Sequence, residues 1–180
     1  MAALKLLGIS GSLRKDATNT MLLREAARLF GECTYVQGNI IFPLYNGDDE
    51  AATGVPAVVE TLAQQIADAD GVLISTPEYN KGPSGALKNA LDWVSRASVK
   101  PWGDKPVAVM SAAAGRAGGE RAQMVLRGYM VAFRPRILQG PEIHLAGSGT
   151  AFDANGHLTG EIYVKDLTAL MNSLRAEIAR

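Results

Sequence analysis

Short unbroken apolar runs alternate along this chain with stretches whose apolar residues recur every third or fourth position. Lys5–Ile9, Gly71–Ser75 and Pro106–Ala112 are runs of the first kind and read as buried strands. Thr34–Gln37 is a weaker strand, and Ile137–Leu145 reads as the last one, interrupted at Gly140-Pro141. Helical spacing marks Thr20–Phe30, with Thr18 or Asn19 as its cap and Gly31 just past its end. Val58, Leu62 and Ile66 mark a second helix that starts near Pro56. Ser84 caps a third, with Leu87, Ala90, Leu91 and Val94 on one face. Glu120–Val131 and the Val164, Leu167, Met171, Leu174, Ile178 series complete the set. Phe42–Pro56, crowded with turn residues, reads as a long loop. Strands and helices that alternate in this way predict an α/β fold, one parallel sheet with helices on both faces.

Composition narrows the picture without changing it. A chain of 180 residues suits one domain, 1–180. Lysine plus arginine equals aspartate plus glutamate at 18 each, so nothing points to nucleic acid or an anionic membrane as partner. Met1-Ala2-Ala3 runs straight into a strand, with no secretory leader expected, and no apolar run reaches the ~18 residues of a membrane span. The single cysteine, Cys33, excludes an internal disulfide and fits a cytoplasmic setting. His144 and His157 stand apart from any Cys/His cluster, so no metal is expected, and Asp48-Asp49-Glu50 reads as a solvated loop.

Three loops carry candidate chemistry. In open α/β sheets, ligands sit beyond the carboxyl ends of the strands. The loop after the first strand, "SGSLRKDATNT", supplies hydroxyls from Ser10, Ser12 and Thr18, an amide from Asn19, and the fork of Arg14. Backbone N–H groups and a helix start add to these donors, a set that suits a phosphomonoester. It contains neither GxxxxGK[ST] nor GxGxxG. An ordinary polar turn would share these features. After the third strand, "PEYNKG" offers stiff and open backbone, with Glu78–Gly82 N–H groups able to face a flat heteroaromatic ring and Tyr79 and Asn80 able to shape its pocket. After the fourth, "SAAAGRAGGE" reads as a floor free of bulky side chains. In the strand order 2-1-3-4-5 these three loops converge.

"GSLR....N", "PEYN" and "LKNALDW" together resemble the NADPH-dependent FMN reductase family of flavodoxin-like proteins, and within it the soluble bacterial reductases of quinones, chromate and ferric complexes. The resemblance runs from about Leu4 to the C-terminal helix. It implies FMN as cofactor, its phosphate held by Ser12, Arg14, Asn19 and Thr20, with Ser10 and Thr18 beside them. Pro77, Glu78, Tyr79, Asn80, Lys81 and Gly82 would border the ring, and Ser111 and Gly115 would lie on its far side. It implies ping-pong hydride transfer from NADPH or NADH to flavin N5 and on to quinones or, less specifically, ferric complexes, chromate or azo compounds. It also implies homodimers or tetramers with active sites near the subunit interface.

Trp93 lies off the buried stripe of its helix and needs another surface to cover it; the resemblance implies that this surface is a second subunit, with Arg96 reaching the partner's active site as a modulator. The alternative packs Trp93 under the Lys100–Pro106 loop. Two other functions stay open. One is a flavodoxin-type electron carrier, which zero net charge disfavours. The other is a flavin-free nucleotide binder that uses Glu32 on a ribose, which the missing GxGxxG disfavours.

Overall fold

The computed structural model describes residues 3–180; Met1 and Ala2, where the leader-free start was read, lie outside the described residues. The elements are β1 (Lys5–Ser10), α1 (Thr18–Phe30), β2 (Thr34–Gln37), α2 (Gly47–Thr53), α3 (Ala57–Asp68), β3 (Gly71–Thr76), α4 (Gly85–Arg96), β4 (Pro106–Ala112), α5 (Glu120–Met130), β5 (Arg136–Ile137), β6 (Ile143–Leu145) and α6 (Glu161–Ile178). All strand pairs are parallel, in the order β2-β1-β3-β4-β5, with β6 also beside β4. This is the flavodoxin-like order.

Burial follows the two-residue period of the central strands. Leu7, Ile9, Val72, Ile74, Val107 and Val109 face one core with Leu62 and Ile66 of α3, Leu87 and Leu91 of α4, and Leu126 of α5. Leu6, Leu73, Ala108 and Met110 face the other, with Leu22 and Leu23 of α1 and Leu167, Met171 and Leu174 of α6. A strand buried on both faces needs apolar residues at every position, which is why these segments read as unbroken runs. Among the described residues no helix is long and apolar enough to cross a membrane.

Four expectations change. Helix α1 begins at Thr18, and its cap is Ala17, which makes no side-chain bond; Thr18 and Asn19 lie inside the first turn. The Phe42–Pro56 loop contains α2, capped by Asn46, whose side chain accepts from the Asp48 N–H. Asp48, Asp49 and Glu50 therefore occupy a helical first turn, where carboxylates favour the positive end of the dipole. The last of the five expected strands is divided into two at the expected interruption, so the sheet has six among the described residues. β5 pairs with the start of β4 and β6 with its end, and the chain leaves the ladder around Pro141, which has no N–H to give.

The fourth change concerns Trp93. It is 2% exposed within one chain, so no second subunit is needed to bury it. Its Nε1–H donates to the Pro43 carbonyl at 2.8 Å, and the Tyr45 ring meets it edge-on at 5.0 Å. The segment ahead of α2 supplies this cover. Arg96 likewise has a partner in its own chain: its Nε lies 2.9 Å from Glu50 Oε1.

Candidate functional site

A cleft of about 300 Å3 opens at the carboxyl ends of β1, β3 and β4. Ser12, Arg14 and Ala17 line it from the first loop, Thr18 and Asn19 from the start of α1, and Pro77, Glu78 and Tyr79 from the loop after β3. Ala112, Ala113 and Ala114 form its β4 side, and Ser148 and Gly149 close it from beyond β6.

The first loop is held from within and from behind. The Ser10 hydroxyl donates to the Ser12 carbonyl at 3.3 Å and accepts from the Ser12 N–H at 3.2 Å, so this buried side chain shapes the turn. The Gly11 N–H donates to the Ser75 carbonyl at 2.8 Å. The Ser84 hydroxyl caps α4 by accepting from the Leu87 N–H at 3.2 Å, and it also donates to the Gly11 carbonyl. Arg14 is exposed and makes no ion pair among the described residues. The first N–H groups of α1, which lack intrahelical acceptors as at any helix start, meet the same end of the cleft.

After β3, Tyr79 and Gly82 exchange backbone bonds of 2.9 and 3.1 Å, closing a two-residue hairpin around Asn80 (φ 50°) and Lys81 (φ 69°). Two successive left-handed residues are the signature of a type I′ turn, and a lysine there carries strain of about 1–2 kcal/mol. Backbone strain of this kind concentrates at ligand sites. The expected row of free N–H groups from Glu78 to Gly82 is thus shortened, because those of Tyr79 and Gly82 are already used. The Glu78 carboxylate accepts from the Ala122 N–H at 3.2 Å, tying this loop to the first turn of α5.

The glycine floor after β4 has a different origin from the one expected. A Cβ on Gly118 would stand 2.2 Å from the His144 carbonyl oxygen, and one on Gly119 would stand 2.6 Å from Ser111 Cβ. Both have positive φ, 59° and 96°. The chain's own packing requires these glycines. Ser111 is fully buried beneath them, donating to the Gly118 carbonyl at 2.7 Å and accepting from Gln123 Nε2 at 2.9 Å. The small-residue surface presented to the cleft is Ala112–Ala114.

Of the residues singled out from sequence, the cleft brings together Ser12, Arg14, Thr18, Asn19, Pro77, Glu78 and Tyr79. Ser10 and Ser111 lie behind it, Asn80 and Lys81 form the exposed hairpin tip, Gly82 closes the hairpin, and Gly115 is in the exposed β4–α5 loop. Thr20 lines a separate groove with Lys15, Arg24 and Glu25. Glu32 follows α1 at the amino end of β2, across the sheet from the cleft, and so cannot serve a ribose there. Sequence reading missed Ser148 and Gly149. Their signal was "GSGT" following the last strand, the same small polar type as the first loop. Ser148 Oγ accepts from Thr18 Oγ1 at 3.1 Å, joining that loop to α1.

A fork of positive charge, hydroxyls and a helix start at one end fit a phosphate, and the alanine backbone at the other leaves room for a flat ring. A family model described as NADPH-dependent FMN reductase matches residues 4–149. An NAD(P)H-dependent FMN reductase of Pseudomonas aeruginosa is 43% identical over 160 residues, covering 86% of this chain and 84% of the relative. A 2-hydroxy-1,4-benzoquinone reductase of a Burkholderia species is 38% identical over 179 residues, 97% of this chain and 96% of the relative. Among solved structures, the FerB flavoenzyme NAD(P)H:(acceptor) oxidoreductase of Paracoccus denitrificans superposes with a TM-score of 0.87 at 31% identity, covering 98% and 97% of the two chains.

Proposed function

This chain belongs to the NADPH-dependent FMN reductase family, and from that premise we propose that it binds FMN in the cleft and oxidises NAD(P)H to reduce quinones. Ferric complexes, chromate and azo compounds are proposed as less specific acceptors. The observation that carries this reading is the convergence of phosphate-type donors and a side-chain-poor backbone in one cleft. FMN, when bound, supplies the hydride chemistry. Arg14 and Ser12 bind the phosphate together with the start of α1. Ala112–Ala114 and the Tyr79–Gly82 hairpin border the ring, and the hairpin tip offers N–H groups from Asn80 and Lys81. Glu78 orients the hairpin by holding α5. No side-chain acid or base is required, so access to the open face governs which acceptors react.

One flavodoxin-like domain is read for the whole chain, in a cytoplasmic setting. The homodimer is assigned to a different surface from the one containing Trp93. Met124 (68% exposed), Val125 and Val131 (74% exposed) run along the outer side of α5 and just past it, beside Gly128, which has open space around it. An exposed apolar stripe of this kind suits isologous packing against a second copy.

The test mixes purified protein and FMN with NADH or NADPH in the absence of any partner protein. Bleaching of the flavin absorbance, recovery on adding a quinone, and parallel double-reciprocal plots are expected. A flavin that stays oxidised would point to an electron carrier, and intersecting plots would overturn the shared site.

A further inference from the structure

The start of α1 is fastened to the ends of two strands by one buried amide. Asn19 is 3% exposed. Its Oδ1 accepts from the Ser75 hydroxyl at 2.7 Å and from the Ala112 N–H at 3.0 Å, while its Nδ2 donates to the Ala112 carbonyl at 2.9 Å. The pairing of β3 with β4 ends at Thr76 and Ser111, where the chain turns off at Pro77. Ala112 lies one residue beyond that ladder. The Asn19 amide engages both of its backbone groups, as the peptide of a neighbouring strand would.

We propose that Asn19 is a positioning residue and not a phosphate donor: it sets the start of α1 against Ala112–Ala114, so that the two ends of the cleft are held in one geometry. Both acceptor positions of Oδ1 are filled and one of the two Nδ2 hydrogens goes to the Ala112 carbonyl, in a side chain almost without solvent contact. Ser75, fully buried and not part of the cleft lining, completes the fastening from the far side. A group that binds at both ends of the cleft depends on their separation, because misplacement weakens contacts the pin itself never makes. The inference rests on FMN occupying this cleft.

The test measures dissociation constants for FMN and for riboflavin by flavin fluorescence quenching, with folding followed by circular dichroism. The proteins are wild type, Ser75→Ala, Ser75→Thr and Asn19→Ala. Loss of one neutral hydrogen bond predicts that Ser75→Ala weakens FMN by about 2–10-fold, while riboflavin, which has no phosphate to reach the α1 end, changes less. Ser75→Thr, which keeps the hydroxyl, recovers most of that loss. Asn19→Ala weakens FMN further. A loss of FMN affinity in Asn19→Ala together with a folded Ser75→Ala that binds FMN as wild type does would make Asn19 a phosphate ligand and overturn the proposal. So would a folded Ser75→Ala with wild-type affinity for both flavins, the signature of a bond that serves stability alone. Should Asn19→Ala fail to fold, the two Ser75 variants decide. Wild type that binds neither flavin overturns the proposed function and this inference with it, a result distinct from either variant outcome.

Discussion

Arg14 and Glu25 are charged residues eleven positions apart, and the structure uses them in opposite ways. Arg14 is exposed at the cleft with no carboxylate partner among the described residues. A charge-assisted bond to phosphate contributes about 1.5–3 kcal/mol. Arg14→Ala should therefore lower FMN affinity roughly 10–100-fold by calorimetric titration while riboflavin affinity barely changes. Equal losses would place Arg14 away from the phosphate. Glu25 is almost fully buried, accepting from Arg28 Nε at 2.7 Å, from Arg28 NH2 at 2.8 Å and from the Leu158 N–H at 3.3 Å. Burial pushes its carboxyl up, but the Arg28 bonds and the Leu158 N–H outweigh burial and hold it below its ordinary 4.5. A native value below the unfolded one favours the ionised form in the folded state. Its contribution is complete above about pH 4.5 and is lost as pH falls through the lower native value. Urea titrations should show Glu25→Gln less stable than wild type at neutral pH by about 1–3 kcal/mol. That gap should narrow in acid; a gap constant with pH would contradict the ionised pairing.

At the scale of elements, α4 depends on the segment that precedes α2. Trp93 has its indole donor on Pro43 and its ring against Tyr45, while Arg96 pairs with Glu50 in α2. One short helix with no buried residue of its own thus helps to cover the outer side of a core helix. Trp93→Ala leaves a cavity and removes one of the two donors on the Pro43 carbonyl, costing about 3–5 kcal/mol. The loss should appear in denaturant unfolding and should be the same at all protein concentrations, because the cover is intramolecular. A loss that vanishes on dilution would return Trp93 to a subunit interface.

For the whole molecule, the proposed homodimer makes a testable choice of surface. The α5 stripe is apolar, exposed and carries a glycine, whereas the surface over Trp93 is already filled. Replacing Met124 and Val125 together by glutamate should leave the fold intact, since neither is part of the buried cores. Sedimentation velocity should then report a monomer where wild type is a dimer. A double variant that remains dimeric would move the interface elsewhere. The same variant tests whether flavin affinity depends on association, because the β4–α5 loop enters the helix that carries the stripe.

Short-range pattern alone determined the main strands and, among the described residues, five of the six α-helices; the strand order followed from the flavodoxin-like fold that the resemblance implies. Two-sided burial demands unbroken apolar runs, one-sided burial demands helical spacing, and both are written within a few residues. The Arg14 loop and the loop after β3 were legible for the same reason, since Gly, Pro, Ser and Asn specify turns locally, whereas the hairpin within the second was not. What the tertiary structure decided lies in contacts between residues far apart in the chain. Asn19 finds Ala112 at a separation of 93 residues and Ser75 at 56, which fastens the start of α1 to two strands. Trp93 finds Pro43 at a separation of 50, which fills the face that its spacing left bare. Gly118 is a glycine because the His144 carbonyl lies against it. Periodicity records whether a side chain faces in or out; it does not record which distant backbone group will meet it there. A polar side chain near a site can therefore be recognised from sequence, but whether it faces the ligand or the protein is settled only when the sheet closes around it.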